Sequence, residues 1–86
     1  MISNNSELYD AVEKLGKVLQ NAGQQQWSQS LNDALSISSV PGEILGEIRL
    51  QLRNLRGTQI PDRLGLNPQL SEALAYLDRI LGPLYH

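Results

Sequence analysis

The run from Val40 to Gly57 holds both ends and one buried face of a single helix, and the rest of the chain must fit around it. Pro41 suits a first helical position, because its fixed φ is already helical and its missing N–H has no partner to lose there. Gly57 suits the residue after the last turn, where a left-handed conformation closes a helix cheaply. Ile44, Leu45, Ile48, Leu52 and Leu55 recur at helical spacing and form one apolar stripe. Gly42 and Gly46 lie one turn apart, and each lowers helix propensity by ~1 kcal/mol relative to Ala. That loss predicts close approach of a neighbouring helix, or of a partner, to bare backbone. Arg49, Arg53 and Arg56 are spaced four and then three, so their guanidinium groups share a face.

A chain of 86 residues is a single domain, 1–86, near the size at which one core only just suffices. It has no cysteine, so neither a disulfide nor a zinc–thiolate site staples it. With no Phe, one Trp and three Tyr, the core must be aliphatic. The opening Met1-Ile2-Ser3-Asn4-Asn5 lacks the basic and apolar regions of a signal peptide, and no run approaches the ~20 apolar residues of a membrane span. The expected compartment is the cytoplasm, with no membrane partner. Net charge is −2, which argues against general nucleic-acid binding. Six acidic and two basic residues up to Glu47 give −4, whereas three acidic residues and five arginines beyond it give +2. Such a dipolar domain suits electrostatically steered protein partners.

Three further helices follow from spacing. The first is expected from Asn4 or Ser6 to about Ala22, with Asn4 and Glu7 as a capping box and Leu8, Val12, Leu15 and Leu19 as its stripe. Gly16 interrupts it as a contact point, and Gly23 stops it. The second is expected from Gln24–Gln26 to Ile37 or Ser38, with Trp27, Leu31, Ala34 and Leu35 at helical spacing. Trp27 is expected to cap the helix packing, or to anchor an interface if exposed. Thr58 to Leu66 reads as a connection containing one helical turn at Pro61–Leu64, long enough to be a functional suspect. The last helix has Asn67 as N-cap, Pro68 at N1, Leu70, Leu74, Leu77 and Leu81 as its stripe, and Gly82-Pro83 as its stop.

Little in this inventory can do chemistry. His86, the only histidine, is the last residue, a poor place to position an imidazole. With no Cys and one His, zinc sites and Ser/His/Asp or Cys/His nucleophiles are excluded, and no phosphate-binding glycine motif occurs. Glu43 and Glu47 sit in the first two turns, where negative charge offsets the helix dipole. A carboxylate metal site would need more ligands from a second helix. The chain is therefore read as no enzyme, without cofactor, metal or small-molecule substrate. The helix pair around Ser38–Pro41 mimics a helix-turn-helix, but Gly42, Glu43 and Gly46 occupy its reading positions, and glutamates repel phosphates.

Leu19, Trp27, Leu31 and Ala34-Leu35, followed by Val40-Pro41-Gly42-Glu43-Ile44-Leu45-Gly46-Glu47-Ile48-Arg49, resemble a group of small helical bacterial proteins. Within that group the chain resembles the helical immunity proteins that neutralise toxins delivered between competing bacteria, including contact-dependent growth inhibition systems. The likeness spans about the first two thirds of the chain and rests on the helical pattern and one Pro-Gly-Glu helix start. It implies a stoichiometric inhibitor that covers a cognate toxin domain by direct protein contact. Toxin nucleases of this kind are often basic, so Glu43 and Glu47 are the first candidates for the contact, with Glu7 and Asp10 in support. Arg53 and Arg56 would instead meet an acidic patch.

The expectation is thus an all-α fold, four antiparallel helices or three plus a packed fourth, around an aliphatic core. Its leading function is toxin neutralisation. A helical adaptor or homodimer built on the Gly42/Gly46 face is the second reading, and a small DNA-binding regulator is the third.

Overall fold

The computed structural model describes residues 1–82, and over these the fold is all-α. The expectations for Pro83 to His86, the His86 tail included, lie outside the described residues. Five helices follow in order: α1 (Asn5–Asn21), α2 (Gln25–Leu35), α3 (Pro41–Arg56), α4 (Ile60–Leu64) and α5 (Asn67–Leu81). α1 packs on α2 and α5, and α3 packs on the same two helices, so α1 and α3 occupy diagonal corners of a four-helix bundle. Contacts between α5 and both α1 and α3 run in opposite chain directions, giving up-down-up-down topology. α4 bridges α3 and α5.

The expected stripes meet in one aliphatic core. Leu8, Val12 and Leu19 of α1, Leu31 of α2, Ile48, Leu52 and Leu55 of α3, and Leu70 and Leu77 of α5 are all fully buried. Each apolar side chain removed from water on this scale contributes ~1.5–3 kcal/mol, which is what offsets ordering so short a chain.

Helix ends follow local chemistry. The Asn4 side chain accepts the Glu7 N–H at 2.8 Å, as a cap should. The reciprocal half of the box is shifted by one residue, because the Glu7 carboxylate accepts from the Ser3 N–H and hydroxyl. Gly23 lies at φ +81°, where the Gln24 N–H reaches the Leu19 carbonyl and the Gly23 N–H reaches that of Gln20. This paired closure needs a left-handed residue, hence glycine. α2 ends at Leu35, two or three residues short of expectation, because Ser36 turns its hydroxyl back to the Asn32 carbonyl and the serine-rich stretch leaves the helix.

Two expectations about helix ends are corrected. Gly57 is right-handed, at φ −74°, since Thr58 instead closes α3 by donating its hydroxyl to the Leu55 carbonyl at 2.7 Å. Asn67 is not the cap of α5: it opens the helix itself, Leu66 precedes it as the cap, and the Asn67 amide donates to Asp62. The helical turn expected at Pro61–Leu64 is α4, which starts one residue earlier at Ile60; Pro61 and Leu66 are buried, and Gly65 turns the chain between them. The N-terminus is also more structured than its polar sequence suggests. Ile2 is buried, its carbonyl accepts from Arg79, and the Met1 amino group pairs with Glu72 at 2.9 Å.

Candidate protein-binding face

Placing the stripe of α3 against the core turns its opposite side to water. Leu50 stands at the centre of that side, half a turn out of phase with Ile48 and Leu52, and is 51% exposed. Gly46 lies one turn before it and Asn54 one turn after, with Glu43 and Glu47 toward the start of the helix. Val40, which precedes Pro41, and Ile37 are also exposed, so three of the larger outward apolar side chains fall on α3 or its approach. Leu50 was no part of the expected stripe, yet the sequence does signal it, as an apolar residue placed where the helical period calls for a polar one.

Two carboxylates, Glu43 and Glu47, lie on the N-terminal side of Leu50. Glu43 is exposed and accepts from the Ser38 hydroxyl at 2.5 Å, and that hydroxyl in turn accepts the Val40 N–H at 3.0 Å. The small network fixes the entry to α3 and holds one carboxylate in place. Glu47 is half-buried and accepts from Gln51 at 2.9 Å. A Cβ added at Gly42 or Gly46 would meet nothing within 4 Å. Among the described residues no neighbouring helix approaches these glycines, which corrects the expectation of an internal close contact.

The arginine stripe does not exist as one surface. Arg49 is only 8% exposed and donates to Asp78 at 3.2 Å and to the Gly82 carbonyl at 2.5 Å. Arg53 donates to the same carboxylate at 3.2 and 3.4 Å. Both guanidinium groups thus close the seam between α3 and α5, and of the three only Arg56 is exposed with no ion pair among the described residues. Asp78 escaped the sequence reading although it follows Leu77 and precedes Leu81, on the flank of a buried stripe where an acid needs a partner. The positive excess after Glu47 is accordingly consumed in part inside the bundle.

Glu7 and Asp10 do not join Glu43 and Glu47. They line a cleft of about 330 Å³ with Gln69 and Glu72, where α1 meets α5, on the helix diagonal to α3. The Ser3 hydroxyl, and then its N–H, hold the Glu7 carboxyl below the usual carboxylate range. Hydrogen bonding to Glu72, reinforced by that carboxylate's charge, raises the Met1 amino group above its ordinary value. A single flat contact therefore takes one acidic pair or the other. Trp27 is half-buried and packs against the core edge, between the two roles expected of it.

Among the described residues, no group of three or more His, Asp or Glu side chains is arranged to hold a metal ion, and no helix is long and apolar enough to cross a membrane. No family model, curated protein or solved structure matches this chain.

Proposed function

We propose that this protein is an immunity protein, which binds a cognate bacterial toxin domain stoichiometrically in the cytoplasm and neutralises it by direct contact through the outward face of α3. The observation that carries the reading is Leu50, an exposed aliphatic side chain beside the open backbone of Gly46 and next to Glu43 and Glu47. An apolar centre with a charged rim is how a tight interface is built: the centre supplies affinity, and the rim supplies steering and partner choice. The acidic rim favours a basic partner. The likeness of the segment from Leu19 to Arg49 to helical immunity proteins supplies the class of partner.

The test is co-purification of a tagged copy with the product of the adjacent upstream reading frame. A stoichiometric complex whose partner kills cells when expressed alone is the expected result. Leu50→Asp, and separately the pair Glu43→Lys with Glu47→Lys, should each weaken that complex at least tenfold while leaving the far-UV circular dichroism unchanged. A harmless neighbour that does not bind would overturn the function. Full affinity in both variants would overturn the face.

Self-association is a second reading, favoured by the same open positions at Gly42 and Gly46. It predicts a mass that doubles with concentration in light scattering, and Leu50→Asp would abolish the doubling.

A further inference from the structure

We infer that Met1-Ile2 is a strap that closes the seam between α1 and α5 and opens by itself, without unfolding of the bundle, to uncover an apolar notch on α5. The strap involves α1 and α5 rather than the outward face of α3, and its role does not rest on the toxin-binding reading.

The strap joins two helices. Ser3 is fastened to α1: its N–H and hydroxyl both donate to the Glu7 carboxylate, at 2.8 and 2.7 Å, and Asn4 caps the same helix. Ile2, one residue earlier, is fastened to α5. Its side chain is buried, and its carbonyl accepts from the Arg79 guanidinium at 3.3 Å. That guanidinium lies 5.4 Å over the Tyr76 ring, and the Tyr76 hydroxyl donates to Asn5 at 2.5 Å. Tyr76 and Arg79, three apart on one face of α5, therefore hold the first turn of α1 and the strap side by side. Ser3 is the pivot, and Ile2 is the latch.

The latch is light. Ile2 is the one buried residue ahead of α1, and the pair between the Met1 amino group and Glu72 lies open to water, where it adds little. The seat is also loose. Ile2 shares it with an open notch of about 200 Å³ lined by Glu72, Ala75, Tyr76 and Arg79, so one side of the latch lacks dispersion partners. A single aliphatic side chain in a part-filled seat must offset the ordering of the strap's backbone and of the Arg79 side chain. The helices themselves are joined through fully buried leucines of α1, α2, α3 and α5, none of which the strap carries. Opening thus breaks one apolar seat and two water-exposed polar contacts, and its free energy lies well below that of unfolding. With the latch out, the notch extends into the space that Ile2 leaves, along the Tyr76 ring. The strap and anything entering that notch exclude one another.

The experiment exploits the absence of cysteine from the chain. Ile2→Cys puts one thiol on the latch, Ala34→Cys one in the core and Ser71→Cys one in water, each in the otherwise unchanged full chain. Alkylation by iodoacetamide is followed by mass spectrometry from zero urea to just below the unfolding transition. The latch thiol is expected to react about tenfold more slowly than the Ser71→Cys thiol, as a small apolar side chain seated most of the time, at a rate that does not change with urea. The core thiol reacts only through unfolding, so its rate climbs with urea in proportion to the surface exposed. Adding Arg79→Met, which removes the donor to the Ile2 carbonyl and keeps an apolar stem, should speed the latch thiol about threefold, a fraction of one hydrogen bond. Should Ala34→Cys lose helix content, Ala73→Cys, also fully buried, replaces it. A latch thiol as reactive as the one at position 71 would mean that the strap is never closed. A latch rate that climbs with urea in step with the core, or loss of helix content in Ile2→Cys, would mean that the strap opens only with the whole bundle. Each of these results, or an unchanged latch rate with Arg79→Met, would overturn the inference.

Discussion

Replacing Asp78 with alanine removes the one carboxylate shared by Arg49 and Arg53, and the structure sets the expected size of the loss. Breaking a fully buried ion pair from one side costs ~3–5 kcal/mol, because a charge is stranded out of water. An exposed pair is worth at most ~1 kcal/mol. This cluster falls between the limits. The Arg49 side chain is 10% exposed, but those of Asp78 and Arg53 are 42% and 35% exposed, so water screens the carboxylate and reaches Arg53 once it is gone. Arg49 also keeps its bond to the Gly82 carbonyl. Against that, the Arg53 Nε is already buried without a partner among the described residues, so little there is left to hold that side chain. The expected cost is therefore ~1–2 kcal/mol, or a fall in melting temperature of about 5–15 °C for a domain of this size. Circular dichroism melts at pH 7 measure it, and Arg49→Met closes a double-mutant cycle. In the Asp78→Ala background that second change should be nearly neutral, because the stranded cation goes while the apolar stem stays. A melting temperature for Asp78→Ala within ~1 °C of the parent, or additive single and double mutants, would refute the assignment of this cluster as the clasp between α3 and α5.

Three further outcomes are expected. Gly46→Ala should stabilise the free protein by ~1 kcal/mol, since the new Cβ meets nothing; a lower melting temperature would show strain there that the geometry does not contain. Leu52→Ala, in the centre of the core, should cost ~2–5 kcal/mol in urea unfolding, and a loss below 1 kcal/mol would contradict its burial. The Glu7 carboxyl has a depressed folded-state pKa, so its contribution is fully present above the usual carboxylate range and disappears as pH falls through the depressed value. Glu7→Gln should flatten that part of the acid limb in a plot of melting temperature against pH, and superimposable acid limbs would refute the Ser3–Glu7 link.

The parts of this protein legible in its sequence are those set by contacts within a turn or two. The stripes of α1, α2, α3 and α5 put apolar side chains at 3.6-residue spacing. With so few aromatic residues and no cysteine, only burial of those aliphatic faces against one another could hold the chain together. Asn4, Gly23 and Pro41 marked three helix ends because capping, left-handed closure and a fixed φ are local chemistry. The same local reasoning failed at Gly57 and Asn67, where Thr58 and Asp62 supplied partners that competed for the same groups.

What tertiary structure alone decided is which side chains face one another across helices. Arg49, Arg53 and Arg56 share a face on any isolated helix, but docking of α5 delivers Asp78 to the first two and leaves the third in water. The acidic pairs Glu7/Asp10 and Glu43/Glu47 look alike in sequence, and the diagonal placement of α1 and α3 separates them. Gly16, Gly42 and Gly46 carry the same propensity cost, yet the fold sets the first against α2 and leaves the other two open. Spacing along one helix fixes an angle around its axis. The direction that angle faces, toward core, seam or solvent, is fixed only when the other helices pack, because burial is a property of the assembled bundle.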